Sequence, residues 1–201
     1  MNTITLKGII KDIEYSHTIN DVEFYKANVV TAPNNGIEYI VPIKFKRFSN
    51  KHQNNEPITL TGNLRSYSTK VDDKNRVQIY VFTYMDEVEE TDKTNYFELD
   101  GRICKKQPIN IDAKSGKCSI SFIVANNIFI EGTQKHLNSY LPCIAYGKNA
   151  KEISGLPIGT KVELYGHIRS RQYRKTTTDN SYDVHVTHEL IVTDMKVIRD
   201  A

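Results

Sequence analysis

The 201-residue chain contains no tryptophan and only three cysteines, Cys104, Cys118 and Cys143. An odd number of unevenly spaced thiols, with no CxxC pair or clustered histidine, supports neither a disulfide framework nor a zinc site. All three read as small, mostly buried apolar residues. Long apolar runs are missing too, since none approaches the roughly 18 residues that a membrane span requires. A soluble chain with no membrane partner is therefore expected. The first ten residues lack the basic start and continuous apolar core of a secretion signal, which points to the cytoplasm. Catalytic signatures are equally scarce, with no P-loop, HExxH or GxSxG pattern. His185 and His188 are three apart in an expected strand and so face opposite ways, while His17, His52 and His136 fall in expected loops without nearby partners. Neither an enzyme nor a protein with a metal or other cofactor is indicated.

What is present is charge of both signs, unevenly placed. The net formal charge of +3 does not mark a nucleic-acid binder by itself. Residues 1–92 carry 11 Lys+Arg against 13 Asp+Glu, whereas residues 93–201 carry 16 against 11. Five of the acids, Asp86, Glu87, Glu89, Glu90 and Asp92, share one short segment, and without them both halves are mildly basic. A run of like charge stays solvated and reads as a connector. The expected organisation is one domain over 1–86, an acidic linker over 87–94 and a second domain over 95–201.

The halves also repeat. Ile4-Thr5-Leu6-Lys7-Gly8-Ile9-Ile10 resembles Phe97-Glu98-Leu99-Asp100-Gly101-Arg102-Ile103, and the run Ile58 to Ser66 parallels Val162 to Ser170, each with a glycine followed by apolar-Arg-Ser. Between and after these anchors lie further β-rich runs, Val22 to Thr31, Glu38 to Phe45 and Val77 to Tyr84 in the first half, then Cys118 to Ala125, Tyr140 to Tyr146 and Asp183 to Val192 in the second. Clusters such as Asn34-Asn35-Gly36, Asp72-Asp73 and Asp179-Asn180-Ser181 suit turns. Helix is expected only at Asn149 to Ser154 and, more weakly, near Arg47 to Gln53. Five strands with a short helix between the third and fourth is the plan of an OB-fold, a small Greek-key barrel. The expected fold class is all-β, with two tandem five-stranded barrels.

The second half carries a specific resemblance over about 35 residues. Tyr140 begins the third strand, Tyr146-Gly147-Lys148 follows, Gly159-Thr160-Lys161-Val162-Glu163-Leu164-Tyr165-Gly166 forms the fourth strand, and Ile168-Arg169-Ser170-Arg171-Gln172-Tyr173 opens a hairpin. In this order these motifs resemble the bacterial and phage single-stranded DNA-binding proteins. The resemblance implies bases stacked on exposed rings and phosphates followed by Lys and Arg, with single-stranded DNA as partner. Carried over by position, it implies Tyr140, Tyr146, Tyr173 and Phe129 as stacking residues, with Lys148, Arg169, Arg171, Arg174 and Lys175 supplying charge. The first half matches weakly, with Tyr39 and Phe45 at the six-residue separation of Tyr140 and Tyr146 but Lys46-Arg47 in place of Gly-Lys. Aligning Pro42 with Pro142 instead shifts that pair by one residue. Its candidates are Tyr39, Phe45, Phe48 and Tyr67 beside Lys44, Lys46, Arg65 and Lys70, with core packing an open alternative for Tyr39 and Phe45. For the third strand of the second half, neither Tyr140-Pro142-Ile144-Tyr146 nor Leu141-Cys143-Ala145 is polar, so the buried face is open as well.

Stacking tolerates any base and phosphate contacts carry no sequence, so the implied binding is sequence-tolerant. It would protect or organise DNA in replication, recombination or repair, of a host or of a phage or mobile element. Rival readings are an OB-fold scaffold of primosome type that binds other replication or recombination proteins, and a preference for RNA. The family's acidic, partner-recruiting tail is not matched by the end Met195 to Ala201. Single-barrel relatives assemble four barrels, a number that a homodimer of this chain would reach.

Overall fold

In a computed structural model, residues 1–32, 36–46, 53–71, 74–84, 92–130, 135–176 and 182–198 are described. They form eleven strands and one helix: β1 (Asn2–Ile19), β2 (Val22–Thr31), β3 (Tyr39–Lys46), β4 (Pro57–Val71), β5 (Lys74–Thr83), β6 (Asn95–Lys106), β7 (Asn110–Ile111), β8 (Cys118–Ile130), β9 (Lys135–Tyr146), α1 (Gly147–Gly155), β10 (Lys161–Thr176) and β11 (Tyr182–Ile198). The chain is all-β as expected, and the strands outrun the sequence-derived runs. His17 and His136, expected in loops, lie in β1 and β9. His52, the weaker helix near Arg47 to Gln53 except Gln53, which is not helical, and most of the acidic segment lie outside the described residues.

Strand alternation fixes the core. Along β3, Tyr39, Val41, Ile43 and Phe45 are buried while Ile40, Pro42, Lys44 and Lys46 are half-buried. Along β9 the same period buries Leu141, Cys143 and Ala145 and exposes Tyr140 and Tyr146. Cys118 and Cys143 are buried as expected, but Cys104 is exposed. It falls on the outward face of β6, between buried Ile103 and exposed Lys105.

Hydrogen bonding in the first half runs in a circuit: β1 with β2, β2 with β3, β3 parallel to β5, β5 with β4, and β4 back to β1. The second half repeats it through β6, β8, β9, β11 and β10, with β9 and β11 parallel. Such tight curvature needs close backbone approach. A Cβ on Gly166 would lie 1.8 Å from the Ile191 carbonyl oxygen, and one on Gly8 would lie 2.2 Å from that of Val30. The β10–β11 register also shifts between Tyr165 and Gly166, a bulge at the bend. The helix follows β9, buries Ala150 and Ile153, and ends where Lys106 Nζ donates to the Ile153 carbonyl at 3.1 Å, to that of Ser154 at 2.9 Å, and to that of Leu156.

The circuits join along antiparallel β1 and β6, where Asn2 faces Leu99, Ile4 faces Phe97 and Leu6 faces Asn95. That register is its own mirror: Asn2 and Asn95 are repeat-equivalent, as are Leu6 and Leu99. Buried side chains follow the same symmetry. Asn2 Nδ2 donates to the Leu64 carbonyl at 2.9 Å and to Asn126 Oδ1 at 2.7 Å. Asn95 Nδ2 donates to the Ile168 carbonyl at 2.8 Å and to Thr31 Oγ1 at 3.3 Å. Two reciprocal contacts lie further out, the Ile40 amide on Ser170 Oγ at 2.9 Å and the Tyr140 amide on Ser66 Oγ at 2.8 Å. Each half thus lays its long hairpin, β4–β5 or β10–β11, against the other. Ile40 and Tyr140 are therefore equivalent, which settles the alignment in favour of matching Pro42 with Pro142.

Candidate nucleic-acid interface

That alignment decides which side chains are available in the first half. Tyr39 and Phe45 are only 6% and 7% exposed and pack inward, so neither presents a ring to a ligand. This corrects their placement among the candidate stacking residues: alternation turns them to the core and turns Lys44 and Lys46 outward. The outward neighbours on β4 and β5 are aromatic. Lys44 Nζ lies 4.6 Å from the ring centre of Tyr67 and 4.5 Å from that of Tyr80. Lys46 Nζ is 5.5 Å from Tyr84, and the Arg65 guanidinium carbon is 3.9 Å from Phe82. A cation over a ring face is attracted by its quadrupole, which holds these side chains without neutralising them. Ion pairs among the described residues involve none of Lys44, Lys46 and Arg65. Burial, then the nearby Lys26, pushes the Lys44 ammonium below its ordinary pKa, and burial does the same to Arg65. Beside them opens a cavity of ≈ 270 Å³ whose walls include Lys26, Lys44, Tyr67, Gln78, Tyr80 and, from the other half, His188.

Sequence reasoning selected Lys44, Lys46, Arg65 and Tyr67 but missed Tyr80, Phe82 and Tyr84. Their spacing of two within one strand run was the available signal, because it puts three rings on one side of a strand. Lys70 is exposed further along β4, and Phe48 lies outside the described residues.

The second half presents its rings differently. Tyr140, Tyr146 and Phe129 are 51%, 43% and 53% exposed. Phe129 lies within β8 and its ring tilts against that of His136, with centroids 5.3 Å apart. Lys148 is exposed at the start of α1 and shares with Lys117 and Lys151 a cavity of ≈ 630 Å³ beside Tyr146. Arg169 donates through Nη2 to the Tyr146 hydroxyl at 3.1 Å. Its Nε and Nη2 both donate to Glu189 Oε1, at 3.1 and 2.6 Å, and Arg171 Nη1 lies 3.7 Å from the same oxygen. Burial disfavours the Arg169 charge, yet hydrogen bonds to Glu189 and Tyr146 outweigh it and raise the pKa. Glu189 was not singled out in the sequence. Tyr173, Arg174 and Lys175 lie on β10 opposite His185, Val184 and Asp183, and their side chains lie outside the described residues.

Among the described residues no group of three or more His, Cys, Asp or Glu converges on a possible metal position, and no helix is long and apolar enough to cross a membrane. What the two faces offer is rings beside cations, exposed at Tyr67, Tyr84, Tyr140, Tyr146 and Phe129 and half-buried at Tyr80, whereas Phe82 lies buried under Arg65.

No protein-family model and no curated protein matches the chain. Solved structures do. The wild-type single-stranded DNA-binding protein from Thermus aquaticus superposes with a TM-score of 0.74 at 12% identity, covering 100% of this chain and 94% of that one. A deletion mutant of the same protein gives 0.72 at 12% identity, covering 100% and 96%. Over its whole length, then, this chain is similar in fold to a single-stranded DNA-binding protein with which it shares little sequence, and that fold is of the OB type.

Proposed function

We propose that this protein binds single-stranded DNA with little regard to sequence and performs no catalysis. The observation that carries the reading is the outward face of β3, β4 and the end of β5, where Lys44 and Lys46 rest on Tyr67, Tyr80 and Tyr84 while Arg65 covers the buried Phe82, and none of the three cations is in an ion pair among the described residues. An unpaired base offers a π-face whatever its identity, and stacking it on a ring contributes roughly 1–3 kcal/mol. Cations at the same rings meet the phosphates. The exposed Tyr140, Tyr146 and Phe129 with Lys148 supply a second, similar face. The fold shared with the Thermus aquaticus protein supports the same reading.

In this reading the two strand circuits are tandem five-stranded OB barrels over 1–86 and 95–201, joined by the acidic segment 87–94, which repels phosphate and lies off the DNA path. The protein protects or organises single strands during replication, recombination or repair, and a homodimer brings four barrels together. Titration of labelled oligo-dT, an RNA of equal length and a duplex, each at two salt concentrations, tests the reading. Oligo-dT should bind most tightly and lose affinity with salt, at a slope of about 0.7 per neutralised phosphate. Equal or absent binding overturns it, and stronger binding to the RNA replaces the ligand.

A further inference from the structure

The repeat-equivalent positions Tyr80 and Glu189 differ in a way that bears on how the two faces work. Each stands directly opposite the arginine of its half, Tyr80 opposite Arg65 on β4 and β5, Glu189 opposite Arg169 on β10 and β11. In the first half the position supplies a ring, and neither Arg65 nor Lys44 is in an ion pair among the described residues. In the second it supplies a carboxylate, and that carboxylate takes the Nε and Nη2 edge of Arg169 and draws in Arg171. An arginine fork receives a carboxylate and a phosphate with the same planar, paired donation, so the two compete for one edge. The side chains of Arg169 and Glu189 are 25% and 18% exposed, and that of Arg171 is 62% exposed, so the pair sits at the rim of the face where an incoming phosphate can reach it.

We propose that Glu189 is a built-in competitor for DNA phosphate, an autoinhibitory contact that makes the second face engage only after the first; this rests on the single-stranded DNA-binding reading above. With a 2.6 Å contact and side chains mostly covered, this pair holds more firmly than an exposed one, so a phosphate must displace the carboxylate, which then stays beside the strand and repels it. The first face has Tyr80 at the equivalent place, and the carboxylates that line its cavity, Asp12 and Glu14, pair with neither Arg65 nor Lys44 among the described residues; Glu14 is held by Lys26 at 2.8 Å. Short strands then occupy the first half alone, and long strands at low salt recruit Arg169 and Arg171.

The test compares wild type, Glu189→Gln, Tyr80→Glu and Tyr80→Gln, all as the full chain, on a short and a long oligo-dT across a salt series, with thermal melting as a check on folding. Glu189→Gln should bind the long strand about threefold more tightly, with a salt slope steeper by about 0.7 for each phosphate gained. Tyr80→Glu, which places a carboxylate beside Arg65 and Lys44, should bind about tenfold more weakly than Tyr80→Gln, which loses the same ring without gaining charge. A well-folded Glu189→Gln with unchanged or weaker binding overturns the proposal. If that variant melts early, the other pair decides, and equal affinities for Tyr80→Glu and Tyr80→Gln overturn it. Absence of wild-type binding overturns the function itself and the proposal with it, whereas wild-type binding with indifferent variants overturns the proposal alone.

Discussion

The two halves share a scaffold almost residue for residue and differ on the surface that faces a ligand. Gly8 and Gly101 repeat, as do Gly62 and Gly166, Asn2 and Asn95, and Ser66 and Ser170, and each pair makes the same kind of contact in both halves. Outward positions have diverged. Lys44 stands where the second half has Ile144, Lys46 where it has Tyr146, Tyr67 where it has Arg171, and Tyr80 where it has Glu189. The first half lays cations on rings; the second exposes rings and ties its arginines to a carboxylate. Duplication thus constrains whatever the barrel bend and the joint between halves require, and leaves the solvent face free to specialise.

The strongest way to break this picture is at a bend. In Gly166→Ala the new Cβ would meet the Ile191 carbonyl oxygen at 1.8 Å, and the buried Phe97 ring at 3.2 Å leaves little room to yield. A loss on the order of 3 kcal/mol in chemical denaturation is expected, with the repeat partner Gly62→Ala, whose Cβ would lie 2.5 Å from the Phe82 carbonyl oxygen, behaving alike. If either alanine is neutral, the bends are not equivalent. Next comes the ligand face. Lys44→Ala with Tyr67→Ala should weaken oligo-dT binding by more than tenfold, about the value of one stacked base and its phosphate contact, while Tyr140→Ala with Tyr146→Ala should cost less. The reverse order would make the second half the main contact. At the joint, Asn95→Ala leaves the Ile168 amide without its 3.0 Å acceptor, and Asn2→Ala does the same to the Leu64 amide at 2.7 Å. Each should cost about 1–2 kcal/mol in urea unfolding.

Much of the scaffold was legible because it is written in periods. Apolar alternation gave the strands, and the glycine-centred repeats gave the duplication. The face was harder to read. A six-residue separation matched Tyr39 and Phe45 to Tyr140 and Tyr146, but alternation over one shifted residue turns the first pair inward. The cross-half bonds of Ile40 and Tyr140 reveal the register, and they link residues 74 or 130 positions apart. Glu189 escaped notice for a similar reason: among scattered acids, nothing local distinguishes the one that lies across a hairpin from Arg169. Charge totals favour the second half, yet they count Arg169 at full value although Glu189 holds it at 2.6 Å and lies 3.7 Å from Arg171.

The smallest effect expected lies at another unequal pair, Ile79 and His188, which stand opposite Ser66 and Ser170. Ile79 is buried and apolar, whereas His188 uses Nε2–H to donate to the Ile40 carbonyl at 2.9 Å and leaves Nδ1 buried without a partner. Burial holds its pKa below the ordinary value of 6.5, although the bond to Ile40 works the other way. Above that value the ring is neutral whether the chain is folded or not. As pH falls through about 6.5 the unfolded chain takes up the proton first, so stability declines until the folded ring protonates as well. His167, also lowered by burial and then by Arg169, adds a loss of the same sign. The melting temperature should therefore fall between about pH 7.5 and 5.5, before most carboxylates titrate. His188→Gln keeps an amide donor for Ile40 and cannot titrate, so its fall should be smaller by the His188 share, under about 1 kcal/mol. Equal falls in both proteins would assign the pH dependence to His167 and leave the joint between the halves insensitive to acid.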